Sequence, residues 1–223
     1  SNISVSKNDL KKLNDNNVNV KFAGVFGLSE SASDLKTDIG VQVSDNDYYP
    51  MPYFTGFSDC GAEFLESCGY TLSAGRYPEN KDEIAVTEYV DGLFKAAGKG
   101  SATDNAVKIN IRVINEDGGS IYKHIDVDLK IVGVYKTKAI DKKFDALKKT
   151  PDTTTITTSE NRSDLIASFK DYLKNSFNLV AFVSPDFYES YVEKDDYPYD
   201  FSMNMHILGV EISNEPISGN VYY

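Results

Sequence analysis

No run in this chain approaches the roughly 18 to 20 consecutive apolar residues that a bilayer-spanning helix needs; the longest apolar stretches are short patches such as LVAF at 179–182. Histidine is scarce, with only His124 and His206, each in a strand-like run. A metal centre would lack further ligands at suitable spacing, and a general base would lack a nucleophile within reach, so both histidines read as structural or surface residues. CxxC spacing is missing as well: the two cysteines, Cys60 and Cys68, lie within CGAEFLESC. Were that stretch helical, they would sit roughly 12 Å apart along the axis, beyond the about 7 Å between Cα atoms that a disulfide tolerates. A bridge therefore needs a turn or irregular backbone between them, and the sequence leaves the point open. GxSxG, GxxxxGK[ST] and GxGxxG do not occur, which removes the common hydrolase, nucleotide and dinucleotide fingerprints. AAGKGS at 96–101 follows a helical pattern instead of opening one, the wrong polarity for an anion site at a helix N-terminus.

Basic residues are outnumbered. Lys and Arg total 23 against 34 Asp and Glu, giving a net charge of −11. That field repels nucleic acid and anionic lipid, so neither is an expected partner, and it keeps an exposed domain soluble. What the chain does have is an ordinary globular balance, 41% hydrophobic and 26% charged over 223 residues, enough for one large domain or two small ones with a real core. It opens SNISVSKND without methionine, which reads as a fragment or a processed form.

Along the chain, a short helix at 6–15 precedes the alternating VNVKFAGVFG strand at 18–27, and GVQVS at 40–44 and YFTGF at 53–57 are further strand candidates in a Ser, Asp, Gly, Pro and Tyr-rich region. A helical turn or two is expected at 61–70. EIAVTEYVDGLFKAAG then switches from strand alternation to helical spacing and stops at Gly98 and Gly100. VKINIRVIN at 107–115 and SIYKHIDVDLKIVGVYKT at 120–137 flank EDGG, the clearest hairpin signal present. A Lys-rich amphipathic piece and a Thr-dense connection follow. Leu165, Ile166, Phe169, Tyr172 and Leu173 then share one helical face, LVAFVS at 179–184 reads as a buried strand, Pro185 opens a short helix, and NMHILGVEIS at 204–213 is a last strand. Helices and strands mix without βαβ repetition, so the expected class is α+β with mixed, mostly antiparallel sheets and packed helices.

Carboxylates are plentiful, as in EKDDYPYDF with Asp195, Asp196 and Asp200, but the reading of that cluster is a solvated acidic loop whose spacing does not match a calcium loop. No catalytic residue, cofactor or metal is expected. Fifteen tyrosines and twelve phenylalanines stand beside no tryptophan. Tyr48, Tyr49, Tyr53, Tyr197 and Tyr199 fall in irregular segments, where a ring either faces a partner or staples a loop to the core.

GYTLSAGRYPENKDEIAVTEYVDGLFKAAG at 69–98 resembles the extracytoplasmic domain of FtsX-like, MacB-type ABC transporter permeases, on Leu72, Gly75, Arg76, Pro78, Glu83, Ile84, Ala85 and Val86 and the helix around Leu93 and Phe94. KIVGVYKT at 130–137 and LVAFVSPDFYESY at 179–191 resemble two further segments of that family, in its order. Gly75 permits a turn that a Cβ would hinder, Pro78 stiffens the exit, and Glu83 opens a strand whose Ile84 and Val86 face the core, so these residues read as structural.

The resemblance implies an extracellular domain between the first and second transmembrane helices of a permease. It implies two subdomains, a porter-like one from 1–55 and 138–223 and a central β-rich one from 56–137. The function implied is non-catalytic coupling of ATP-driven helix motion to a substrate or partner outside the membrane. The partners implied are the parent transmembrane helices, a separate cytoplasmic ATP-binding subunit and an extracellular peptide or protein. An alternative of another class is a surface-anchored or secreted protein that uses its tyrosines to bind peptide or sugar.

Overall fold

The computed structural model describes residues 11–12, 15–16, 20–21, 26–27, 47–114, 122–137, 139–148, 159–191 and 210–211. The fold is α+β. Strands β1 (Val20–Lys21), β2 (Phe26–Gly27) and β3 (Gly56–Ser58) lead to helix α1 (Ala62–Ser67), strands β4 (Thr71–Gly75) and β5 (Glu83–Thr87), and helix α2 (Glu88–Ala96). Strands β6 (Ala106–Ile114) and β7 (Tyr122–Lys136) follow, then helix α3 (Ser159–Lys174), strand β8 (Val180–Val183), helix α4 (Pro185–Tyr191) and strand β9 (Val210–Glu211).

The main sheet runs β2-β3-β8-β5-β7-β4, with β6 also paired to β7. It is mixed: β3 with β8 and β5 with β7 are parallel, whereas β5 with β8, β4 with β7 and β6 with β7 are antiparallel. β1 and β9 form a separate antiparallel pair, Val20 opposite Glu211 and Lys21 opposite Val210. Thus β8, from the stretch 138–223, lies between β3 and β5, from the stretch 56–137, and the two stretches share one sheet.

Side-chain alternation along the strands builds a core on each face of that sheet. In β8, Ala181 and Val183 enter a large cluster that also holds Ile84 and Val86 of β5, Val90, Leu93 and Phe94 of α2, and Phe169 and Leu173 of α3. Val180 and Phe182 point the other way, into a smaller cluster with Ala85, Leu65, Tyr70, Tyr135 and Phe177. Burial on both faces is why VAFV and EIAVT are near-continuous apolar runs. The expectation that Glu83 opens a strand facing a core therefore holds for Ile84 and Val86, and Ala85 faces a second core that alternation alone does not announce.

Local chemistry fixes the ends of the elements. Thr87 caps α2 by accepting from the Val90 N–H. Gly98, at φ 72, closes it with two bonds, Gly98 N to Lys95 O and Lys99 N to Phe94 O, both 3.0 Å. The same double closure ends α1, where Gly69 N reaches Glu66 O and Tyr70 N reaches Leu65 O, each at 2.9 Å. On α3, Phe169 and Leu173 are fully buried and Leu165, Ile166 and Tyr172 pack beside them, the face that the spacing marked. The hairpin of β6 and β7 has the expected antiparallel register, Ile114 opposite Tyr122 and Ala106 opposite Lys130; its EDGG turn lies outside the described residues, as do GVQVS and the 150–158 part of the Thr-dense stretch, whose last three residues open α3 instead of continuing a connection.

Candidate functional site

The residues singled out by the motif converge on one node where β4 leaves the sheet. Gly75, at φ 70, pairs with Gly133 of β7 across the antiparallel ladder. The approach leaves no space for side chains: a Cβ on Gly75 would stand 2.0 Å from the Val132 carbonyl oxygen, and one on Gly133 would stand 2.0 Å from the Arg76 carbonyl oxygen. Arg76 N donates to Val132 O at 2.9 Å, so the chain is stitched to β7 on both sides of the glycine.

From that point the 76–83 loop is closed by an ion pair. Arg76 Nη1 and Nη2 donate to the two carboxylate oxygens of Glu83 at 2.8 and 2.5 Å, a bidentate fork. The backbone N–H groups of Glu79 and Asn80 donate to Glu83 Oε2 at 3.1 and 3.3 Å. The hydrogen-bonded Arg76 guanidinium, with the Asn80 and Glu79 donors, holds the Glu83 carboxyl at about 2, well below the usual carboxylate range, against the opposing effect of burial. Such a carboxylate stays ionised and fully engaged, and is no general acid or base at neutral pH. Pro78 is buried beside it, and Ile84 enters the main core.

Tyr77, between Arg76 and Pro78, ties the node to the rest of the sheet. Its hydroxyl donates to Val183 O at 2.9 Å and accepts from Gly61 N at 3.0 Å, joining the end of β8 to the start of α1. Burial raises its phenol well above the ordinary range. Tyr77 is not among the residues on which the resemblance rests. The available signal was an amphipathic residue with one apolar face and one polar tip, which is what a three-way junction needs. Gly133 was likewise read only as part of a strand.

Comparison with family models, with curated proteins and with solved structures returns no match. Cys60 and Cys68 are not joined in a disulfide, and both pack against the smaller core. Burial pushes the Cys60 thiol up to about 12, so it is protonated and a poor nucleophile at neutral pH. Asp91 of α2 is buried and saturated: Ser101 Oγ and Ala102 N donate to Oδ1 at 3.1 and 2.7 Å, and Lys95 Nζ lies 2.5 Å from Oδ2. Burial raises its carboxyl, but Lys95, Ala102 and Ser101 outweigh that and hold it below the ordinary value. Among the described residues, no group of three or more His, Cys, Asp or Glu side chains is placed to hold a metal, and no helix is long and apolar enough to cross a membrane.

Of the tyrosines read as contact candidates, Tyr48 turns inward. It is 8% exposed, its ring stacks 5.2 Å from Phe169, its carbonyl accepts from Tyr89 Oη at 2.7 Å, and Lys148 Nζ lies 4.8 Å over its face. Tyr49 and Tyr53 are partly buried against the same core. Tyr49 Oη lies against Gly92, where a Cβ would be 2.6 Å away, which accounts for a glycine inside α2. These three rings pack the 47–53 segment against the main core. Tyr197, Tyr199, Asp195, Asp196, Asp200 and His206 lie outside the described residues. His124 sits in β7 opposite Arg112.

Proposed function

We propose that this chain is the extracellular domain of an FtsX-like, MacB-type ABC transporter permease. In this reading it is non-catalytic and couples ATP-driven movement of membrane helices to a substrate or partner protein outside the membrane. The observation that carries the reading is the meeting of the three resembling segments. The stretches 69–98, 130–137 and 179–191 are far apart in sequence, yet Gly75 interlocks with Gly133 and Tyr77 bonds to Val183. Matches scattered by chance would have no reason to interlock; parts of one inherited scaffold would.

A second observation favours the same reading. The β1–β9 pair brings residues 20–21 beside 210–211, as a domain inserted between two membrane helices requires of the segments near its ends. ATP hydrolysis would belong to a separate cytoplasmic subunit, and the engaged states of Glu83, Asp91 and Cys60 fit a scaffold better than a catalyst.

The test is the parent polypeptide. The expected result is apolar helices on both sides of this segment, sedimentation with membranes, and protease access to the domain from outside the cell. A parent that lacks flanking apolar helices overturns the proposal. A neighbouring gene for an ATPase with a Walker motif is the expected companion.

A further inference from the structure

Strand β4 lies at one end of the main sheet. All five of its residues, Thr71 to Gly75, are exposed, so neither of its faces is covered. Among the described residues it pairs with β7 alone, which leaves its other edge as a row of backbone N–H and C=O groups with no strand opposite. TLSAG carries no charge, and Leu72, 44% exposed, is the exposed large hydrophobic side chain of the described residues. Proteins commonly guard such an edge with lysine, proline or a covering segment. β6, which also pairs with β7, shows that protection: Lys108 is exposed and lies 3.7 Å from Asp128. On β4 a bulge at Ser73 disturbs the ladder, and the Ser73 hydroxyl turns back to donate to Val134 O at 3.0 Å.

The strand is also held in place at both ends. Beyond its last residue, Gly75 interlocks with Gly133 and the Arg76–Glu83 fork closes the following loop. Before its first residue, Gly69 turns the chain at φ 81 and Tyr70 is buried in the smaller core. A strand fixed in this way loses little freedom when another is laid against it, which favours association. Leu72 stands opposite Tyr135 in the ladder, and cross-strand partners project to the same face. Leu72 therefore lies at the rim of the smaller core, to which Tyr135 belongs. An apolar residue on an added strand would cover Leu72 and extend that core by one position.

We propose that β4 accepts an extended segment of a partner polypeptide as an added strand, held by main-chain hydrogen bonds along the edge and by an apolar side chain against Leu72. A second copy of this chain fits less well. Contact through one five-residue strand, about 17 Å long, falls short of the about 1,000 Å² that a stable dimer needs, and it would bring together two bodies each of charge −11. The same charge favours a partner segment flanked by lysine or arginine. The inference goes beyond the permease reading and uses only the strand and its edge.

The test is titration of the isotope-labelled 223-residue chain with the synthetic peptide Lys-Val-Thr-Val-Thr-Val-Lys, followed through amide chemical shifts. Saturable binding at millimolar peptide is expected, with the shift changes centred on 71–75. The same peptide with its central amides N-methylated has lost those donors and should not bind. Leu72→Lys removes the apolar contact and puts a charge on the edge, and should weaken binding roughly tenfold. The control Ala167→Lys adds the same charge at an exposed position of α3 and should bind like the unaltered chain.

Absence of saturable binding, equal binding of the N-methylated peptide, shift changes centred away from 71–75, or equal weakening in both variants would each overturn the proposal. So would dimerisation of the chain alone that Leu72→Lys abolishes, a result that would assign the edge to a second copy. None of these outcomes touches the permease reading, which stands or falls on the flanking helices of the parent chain.

Discussion

At the scale of single residues, the Arg76–Glu83 pair decides whether the 76–83 loop is a fixed corner or a loose one. Glu83 is 12% exposed and accepts from both guanidinium nitrogens and two backbone N–H groups, so replacing it leaves several donors without a charged acceptor. Its carboxyl is held at about 2 in the folded chain, below the about 4.3 of an unfolded glutamate. A depressed folded value contributes stability that is present above the unfolded value and is lost as the pH falls from there toward 2. Glu83→Gln should therefore lower Tm at pH 7 by about 2–4 °C for a chain of this size, and the gap from the unaltered protein should close as the pH approaches 2. Thermal melts by circular dichroism at neutral and acidic pH check this; a gap that does not change with pH would show that the pair contributes no ionic stabilisation.

Gly133 is the second residue-scale case. Its missing side chain is what lets the Arg76 carbonyl approach, and a Cβ there would meet backbone oxygen at 2.0 Å, an obstacle that cannot rotate away. Gly133→Ala should destabilise by about 2 kcal/mol or more through forced separation of β4 from β7, measured by urea unfolding. An unchanged midpoint would mean that β4 is not fixed to β7 in solution.

At the scale of elements, the joints carry as much information as the strands. Asp91 projects from α2 and holds the 3-10 turn Ala102–Asp104 through Ser101 and the Ala102 N–H, which sets where the chain enters β6. Asp91→Ala leaves that buried N–H without its acceptor and should cost about 1–3 kcal/mol, whereas Asp91→Asn keeps an oxygen acceptor and should cost less. Equal losses in the two variants, by denaturant unfolding, would assign the effect to Lys95 instead.

The elements also show what was legible in the sequence. The switch from β5 to α2, the α3 face, the β8 strand and the β6–β7 hairpin were readable, because each depends on spacing within a few residues. The place of β8 between β3 and β5 was not, because it depends on pairings between segments about a hundred residues apart or more, Gly56 with Val180 and Ile84 with Val183. The Gly75 and Gly133 contact was not legible, because it joins two segments that no local pattern connects. The inward turn of Tyr48 was open for the same cause: an irregular segment has no periodicity to say which way a ring points.

At the scale of the whole molecule, the arrangement of the two cores has a cooperative consequence. Every residue of β5 and β8 is shared in alternation between the clusters on the two faces, except at the strand ends, so neither core can open without exposing the other side of the same strands. The sheet also interleaves β3, β5 and β7 of the 56–137 stretch with β8 of the 138–223 stretch. Were those stretches independently folding units, urea would unfold them in two steps. A shared sheet predicts one step, with far-ultraviolet circular dichroism and tyrosine fluorescence reporting the same midpoint. Tyrosine is a suitable probe because the chain has fifteen tyrosines and no tryptophan to mask them, and Tyr70, Tyr89 and Tyr135 sample both cores. Coincident transitions would establish that a displacement applied to one part of the sheet is carried across it, the mechanical property that a coupling domain requires. Separated midpoints would show instead that the strands from the two stretches part before the chain unfolds, and would leave such a domain without a rigid path through which to act.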